Sequence, residues 1–178
     1  MYYKLRKITL YFILIICSTV YGQKSRIGET PKFSSKINLV PFNNSTSEGL
    51  NNDSILKYKK PIAIFFWVST CGPCIKELNA FKEMNVFNEI KDKAKIIVVS
   101  DDQPKSYGAA KLIAEKNEWE FDMFFDKGYA LRNNLLNHWF GVPQVMILDK
   151  DKKIVLHKFG YRRGNENVII NKIKELIK

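Results

Sequence analysis

The sequence predicts an α/β fold in which helices flank both faces of a central mixed β-sheet. Short apolar runs at Ile62–Val68 and Lys95–Ser100 are typical of strands that are buried on both faces. A helical pattern follows each run, as in parallel βαβ units. Near the C-terminus, Gln144–Leu148 and Lys153–Phe159 are separated by a polar turn at Asp149–Lys152 and predict an antiparallel hairpin. A sheet that combines both kinds of pairing is mixed.

The polar segment 23–54 predicts an extended lead-in to the domain. A weak alternation of apolar and polar residues from Lys36 to Phe42 indicates one or two edge strands, and a polar loop is expected at Asn43–Asp53. We therefore expect the folded domain itself to span residues 55–178.

Helical patterns fill the stretches between the predicted strands. One helix is predicted from Cys71 to about Ile90, because apolar residues recur along it at a coarse helical spacing. The segment Asp101–Pro104 has an acidic residue near a cap position and a proline in the first turn, and it predicts a helix that ends near Asn117. The other predicted elements are a strand at Phe121–Phe125, a helix at Tyr129–Leu136 and a closing amphipathic helix at Asn165–Ile177.

The first 22 residues predict a secretory signal peptide. A basic start is followed by an apolar run at Ile8–Ile16 and by small residues at Ser18–Gly22. The apolar run is shorter than the about 20 residues that a membrane-spanning helix needs. We expect cleavage after Gly22 and a periplasmic or otherwise exported mature chain. An uncleaved anchor and lipidation of Cys17 remain alternatives, and lipidation is disfavoured because a bulky isoleucine precedes that cysteine.

The net charge does not indicate nucleic-acid binding. The formal charge is +11, and removal of residues 1–22 would take away three positive charges and leave +8. The lysines lie at the ends of apolar runs, where solvated turns are expected, and stacking aromatic residues are not interleaved with them. We therefore expect a soluble, monomeric chain with a basic surface.

The cysteine count favours a chemical role over a structural one. The chain has three cysteines, and Cys17 would leave with the signal peptide, so that Cys71 and Cys74 remain. A structural framework of a small exported domain would need more disulfides at longer spacing. A bridge between residues this close constrains only a very short loop of the unfolded chain.

Metal and haem readings of the two cysteines are disfavoured. A structural zinc site needs four ligands, and His138 and His157 are isolated from the cysteines and from each other. Covalent haem attachment needs a histidine directly after the second cysteine, where this chain has Ile75. We expect no metal, and no nucleotide or flavin motif indicates another cofactor.

The two cysteines lie where a buried strand gives way to a helix. A helix N-terminus offers unpaired N–H groups and the positive end of the helix dipole, which together stabilise a thiolate. We expect Cys71, at the start of the helix, to be the exposed nucleophile. Cys74, one turn deeper, is expected to be the buried resolving cysteine. Pro73 between them is tolerated in a first helical turn.

The segment Trp67–Leu78, the strand before it and Gly141-Val142-Pro143 resemble thioredoxin. Within that superfamily, the chain resembles the exported TlpA/ResA-like thiol–disulfide oxidoreductases in particular, because Lys76-Glu77 comes shortly after the second cysteine. It spans residues 36–178 and implies the thioredoxin fold, with Cys71 and Cys74 as a redox-active disulfide. It also implies a reductant of disulfides in other exported proteins, for which cytochrome c maturation is one common task. The electron donor is unidentified, and a membrane thiol reductase is one candidate.

Two further readings of the function stay open. The same site could serve an oxidant or isomerase of protein disulfides. Alternatively, the fold could serve as a binding module that holds a partner without turnover, although the presence of both cysteines, of Pro143 and of Trp67 argues against this. A peroxidase is a weaker candidate because peroxiredoxin sites do not use this cysteine pattern.

The resemblance also implies roles for single residues around the cysteines. Pro143 should be a cis-proline that faces them, and Val142 should offer its backbone to a substrate peptide. Trp67, Gly72 and Pro73 should contribute to the surface that the substrate meets, with Trp67 packed beside the cysteines as a shield.

Glu77 is implied to tune the pKa values of the cysteines. The alternative is a solvated glutamate on the exposed face of the helix. The chain also departs from its relatives: Phe65 replaces the buried aspartate of thioredoxin, Thr70 replaces a tryptophan next to Cys71, and Asn79 replaces a proline. These departures predict an altered substrate surface and make Glu77 the leading candidate for proton transfer.

Overall fold

The structure is a computed structural model. It describes residues 26–34, 36–42, 49–84, 87–90, 92–136 and 139–178. The predicted signal peptide and His138 lie outside the described residues. In the described part, seven strands form one sheet. They are β1 (Asn38–Pro41), β2 (Leu50–Asn51), β3 (Ile62–Trp67), β4 (Lys95–Ser100), β5 (Asp122–Asp126), β6 (Gln144–Leu148) and β7 (Ile154–Phe159).

The sheet is mixed, as the sequence predicts, with the strand order β2-β1-β5-β4-β3-β6-β7. Strands β3, β4 and β5 are parallel, whereas β6 is antiparallel to β3 and to β7, and β1 is antiparallel to β5. The carboxyl ends of the three parallel strands therefore share one edge of the sheet with the amino end of β6. At this edge Phe66 pairs with Gln144.

Helices cover both faces of the sheet. They are α1 (Asn52–Lys57), α2 (Gly72–Glu83), α3 (Phe87–Ile90), α4 (Tyr107–Lys116), α5 (Ala130–Leu135) and α6 (Asn165–Leu176), with short 3-10 helices at Pro104–Ser106 and Lys127–Tyr129. Among the described helices, none is long and apolar enough to cross a membrane.

Strand β3 lies at the centre of the hydrophobic core. All six of its residues are buried, which explains the continuous apolar run that predicted it. Because side chains alternate along a strand, Phe65 and Trp67 pack on the same face of the sheet as Leu78 of α2. Ile64 and Phe66 pack on the opposite face, in a second cluster of buried apolar residues.

The last part of the segment predicted as a polar loop, Asn43–Asp53, forms regular secondary structure. Residues 43–48 lie outside the described part, but β2 and α1 occupy positions 50–57. A reciprocal pair of bonds starts α1, since the Ser54 amide donates to Asn51 Oδ1 and the Asn51 amide donates to Ser54 Oγ, both at 2.9 Å. Ile55 then anchors the helix in the core. Strand β1 lies between β2 and β5, so the edge strand on this side is β2.

The single helix predicted from Cys71 to about Ile90 is instead two helices. Helix α2 ends at Glu83, and the separate short helix α3 follows at Phe87–Ile90. The helix predicted to begin within Asp101–Pro104 starts with a 3-10 turn at Pro104, and α4 begins at Tyr107. The remaining predicted strands and helices agree with the structure to within one residue at each end.

Candidate active site

Cys71 and Cys74 form a disulfide at the start of α2, with an S–S distance of 2.01 Å and a Cα–Cα distance of 5.3 Å. Cys71 is the N-cap residue, and the Cys74 amide donates a hydrogen bond to Cys71 Sγ at 3.2 Å. Cys71 is partly exposed, whereas Cys74 is fully buried. The geometry therefore leaves Cys71 as the sulfur that an incoming molecule can reach.

The surface beside Cys71 is open. Gly72 and Pro73, in the first turn of α2, are both exposed. A Cβ atom built at Gly72 would meet no atom within 4 Å. The space over this turn is therefore open to a polypeptide that approaches the Cys71 sulfur.

The peptide bond between Val142 and Pro143 is cis, which confirms the prediction. Because Phe66 pairs with Gln144, Pro143 lies next to the end of β3, from which the turn to Cys71 departs. Two hydrogen bonds hold this proline loop: Gly160 N–H donates to Pro143 O at 2.8 Å, and Gln144 Nε2 donates to Gly141 O at 2.7 Å.

His157 supports the proline loop through Gln144. Its Nε2 lies 2.8 Å from Gln144 Oε1, and burial lowers its pKa below the usual value for histidine.

In the described part of the chain, no group of three or more histidine, cysteine, aspartate or glutamate residues could hold a metal ion.

Trp67 is buried in the same apolar cluster as Cys74 and packs edge-on against Trp119, with ring centroids 5.1 Å apart. Trp119 Nε1 in turn donates to Asn79 Oδ1 at 2.7 Å, and Asn79 Nδ2 donates to Asn117 Oδ1 at 2.9 Å. The asparagine that replaces the proline of the relatives therefore ties α2 to the loop between α4 and β5. Sequence reasoning missed this link because its members are about forty residues apart.

Glu77 is buried, with 2% of its surface exposed, so the solvated alternative for this residue is wrong. Burial raises its pKa from 4.5 to about 7; the positive charge of Lys158 opposes this rise and the carboxylate of Glu166 adds to it. Glu166, itself buried, accepts bonds from the Gly164 amide at 2.9 and 3.0 Å. The acid one turn after Cys74 thus lies within the electrostatic influence of Glu166 on α6 and of Lys158 on β7.

The position of the missing thioredoxin aspartate is apolar here. Phe65 is buried and its ring lies 5.0 Å from that of Phe81 on α2. Thr70, at the other position that departs from the relatives, is exposed next to Cys71.

Asp101 follows β4 in a segment predicted to start a helix. In the structure it belongs instead to a buried cluster of side chains. Its amide donates to Trp67 O at 2.9 Å, and its carboxylate accepts from Arg132 Nη1 at 3.0 Å. Burial raises the pKa of Asp101 to about 7, although Arg132 opposes the rise. The Arg132 guanidinium carbon lies 4.0 Å from the centre of the Tyr129 ring and 4.5 Å from that of Trp139. In the sequence, the feature that could have indicated this cluster is the pair of consecutive aspartates, Asp101 and Asp102, directly after a strand.

Three exposed aromatic side chains lie near the proline loop. Trp139 and Phe140 precede it directly, with 37% and 51% of their surfaces exposed. Phe159, at the end of β7, is 49% exposed and its ring centroid lies 6.5 Å from that of Phe140. Exposed aromatic residues at this density commonly mark contact surfaces.

A disulfide between two cysteines three residues apart, at a strand–helix junction beside a cis-proline loop, defines a thiol–disulfide oxidoreductase of the thioredoxin type. The chain belongs to the AhpC/TSA family, whose model matches residues 30–157. No curated protein matches the chain.

Solved structures share the fold. An uncharacterized thioredoxin-like protein from Porphyromonas gingivalis is 26% identical, with a TM-score of 0.63 over 83% of this chain and 93% of that one. A candidate thiol:disulfide interchange protein DsbE from Chlorobium tepidum is 20% identical, with a TM-score of 0.65 over 84% and 99% of the two chains. Peroxiredoxin Q from Xanthomonas campestris is 17% identical, with a TM-score of 0.65 over 86% and 100%.

Proposed function

We propose that the protein is exported and reduces disulfides in other exported proteins through Cys71 and Cys74. The observation that carries the proposal is the arrangement of the two sulfurs. Cys71 is accessible at the N-cap of α2, and Cys74 is buried directly behind it with its amide bonded to Cys71 Sγ. An exposed nucleophile backed by a buried thiol is the arrangement that two-step thiol–disulfide exchange needs.

In the reduced protein the Cys71 thiolate attacks one sulfur of a client disulfide. The client S–S bond breaks, one client sulfur leaves as a thiolate, and a mixed disulfide joins Cys71 to the client. The Cys74 thiol then loses its proton and attacks Cys71 Sγ, which releases the second client thiolate and forms the Cys71–Cys74 disulfide. Two electrons pass from the dithiol to the client, and an external dithiol donor must restore the reduced state.

Glu77 is the proposed acceptor of the Cys74 proton. It lies one helical turn beyond Cys74, on the same side of α2. Its raised pKa of about 7 allows it to take up and release a proton near neutral pH.

Client binding is proposed on the surface around Cys71. Gly72 and Pro73 are exposed, and the backbone of Val142 precedes the buried Pro143. The backbone of Val142 would pair with an extended client segment, while Pro143 would lie against the attacked sulfur. Trp67, packed below, would exclude water from the site.

The cellular setting is also a proposal. The basic and apolar start supports export with cleavage near Gly22. Apocytochrome c is proposed as one class of client because the motif around Cys71 and Cys74 resembles that of the TlpA/ResA-like proteins. A membrane thiol reductase is the proposed electron donor. N-terminal sequencing of the protein from its native host should find a chain that begins near Gln23. An intact Met1 in a cytoplasmic fraction would overturn the export proposal.

Reduction of insulin by dithiothreitol tests the activity. The wild-type protein should accelerate it, and Cys71→Ser should return it to the background rate. A background rate for the wild type would favour the binding-module alternative. Equilibration with glutathione then decides the direction, because a reductant should have a potential near the about −270 mV of thioredoxin and an oxidant one near the about −120 mV of DsbA.

A further inference from the structure

The turn before Cys71 is held from the neighbouring strand by Asp102. Its Oδ2 accepts the Ser69 amide at 2.7 Å and its Oδ1 accepts the Ser69 hydroxyl at 2.8 Å. A third donor, the Ser100 hydroxyl at the end of β4, reaches Oδ2 at 2.8 Å, while the Asp102 amide donates to Ser100 Oγ at 3.1 Å. Both serines are buried, with 8% and 0% of their surfaces exposed.

This arrangement is not a helix cap. The 3-10 turn after β4 begins at Pro104, and its N-cap residue Gln103 makes no side-chain capping bond. Asp102 instead turns back toward the loop that joins β3 to α2. Its carboxylate is therefore committed to the loop that carries Cys71 and not to its own helix.

Ser69 is the second residue of the turn that delivers Cys71 to the start of α2. The turn is closed by the Cys71 amide, which donates to Val68 O at 3.0 Å. Fixing both the amide and the hydroxyl of Ser69 removes most of the freedom of this turn. The anchor comes from β4, on one side of β3, whereas Pro143 approaches from β6 on the other side. The position of Cys71 relative to Pro143 thus depends on the bonds between Asp102 and Ser69.

We propose that Asp102 is a positioning residue for disulfide exchange. Through Ser69 it holds Cys71 Sγ in line with a disulfide that lies against Pro143. The inference deepens the proposed function, because an in-line arrangement of three sulfurs is needed for exchange with any disulfide. Simple alkylation of Cys71 has no such requirement, which separates a loss of alignment from a loss of nucleophilicity.

The test compares two reactions of the reduced protein at a pH where the thiolate is fully formed. Asp102→Ala removes all acceptors of the Ser69 bonds and should slow exchange with oxidised glutathione about tenfold, since small misplacements of reacting atoms have effects of this size or larger. Alkylation by iodoacetamide should stay within about twofold of wild type, because the thiolate itself is intact. Asp92→Ala removes the same side chain and charge at an exposed position before the other end of β4 and should leave both rates unchanged.

Ser69→Ala provides a second variant, since it deletes one donor and leaves the carboxylate in place. It should slow exchange less than Asp102→Ala does, and the double variant should be no slower than Asp102→Ala alone, because the Ser69 hydroxyl has already lost its partner in that variant. Equal exchange rates in Asp102→Ala and wild type, or effects that multiply in the double variant, would overturn the proposal. A lower unfolding temperature with unchanged exchange would mean that Asp102 only stabilises the fold. Failure of the wild type to reduce insulin would instead overturn the proposed function, and the glutathione comparison would still decide the role of Asp102.

Discussion

Replacement of Glu77 by glutamine should stabilise the folded protein above neutral pH and leave its stability unchanged at acidic pH. The carboxyl group is 2% exposed, and its burial raises the pKa from 4.5 to about 7. The positive charge of Lys158 reduces this effect, and the negative charge of Glu166 increases it. The folded state therefore favours the protonated carboxyl, which glutamine resembles in size and charge.

The size of the effect follows from the two pKa values. A change from 4.5 to about 7 corresponds to about 3 kcal/mol of preference for the protonated form in the folded state. Because the folded state binds this proton more tightly than the unfolded state does, the free energy of unfolding falls as the pH rises from about 4.5 to about 7. The gain from Glu77→Gln should thus grow from near zero at low pH to at most about 3 kcal/mol above pH 7.

Urea unfolding of the oxidised protein at a series of pH values measures this difference. The oxidised form is chosen because its cysteines do not titrate. Asp101 titrates in the same range in both proteins, so its contribution cancels in the comparison. Glu83→Gln, at the exposed end of the same helix, is the matched control and should show no such trend. A difference between Glu77→Gln and wild type that is constant across pH would refute the reasoning.

Three further predictions follow from the same site. Cys74→Ser should accumulate mixed disulfides with clients through Cys71, whereas Cys71→Ser should trap none; mass spectrometry that finds clients on Cys74 would reverse the assignment. Arg132→Met should lower the free energy of unfolding by about 3 kcal/mol, because it leaves the buried carboxylate of Asp101 without its partner. A decrease in the free energy of unfolding below about 0.5 kcal/mol would contradict this, because it would mean that the Asp101–Arg132 ion pair contributes no more than an exposed one. In the reduced protein, Glu77→Gln should shift the pH profile of alkylation to lower pH, because removal of a nearby negative charge lowers the pKa of a thiol; superimposable profiles would contradict this.

The parts of the fold that could be predicted are those encoded locally. The apolar run of β3, the two cysteines after it and the Val142-Pro143 step each lie within a few residues, and the structure places them as predicted. Helix α1 was not predicted because its polar sequence resembles a loop. Its start depends on an asparagine–serine capping pair without the usual glutamate. The break after Glu83 escaped because the apolar spacing continues through it.

Interactions that join distant segments could not be predicted from one sequence. The ion pair between Asp101 and Arg132 spans 31 residues, and the bond between Ser69 and Asp102 spans 33. Nothing in either local pattern distinguishes a carboxylate that caps a helix from one that turns toward a neighbouring loop. The burial of Glu77 likewise depends on how the rest of the fold covers α2, which the pattern of α2 alone does not contain.

The proposed proton transfer gives a reason for the presence of Glu77, an acid whose charge destabilises the fold. Cys74 is fully buried, so its proton must pass to a group inside the protein during the proposed exchange. The strand position that holds an aspartate in thioredoxin carries Phe65, which is packed against an aromatic ring. Asp101 also has a pKa of about 7, but its carboxylate is engaged by Arg132. Glu77 lies on the helix of Cys74 itself, and for this reason it is the proposed acceptor. A glutamine at this position would give a more stable protein and would remove the proposed proton acceptor, and such opposition between stability and activity is characteristic of functional residues.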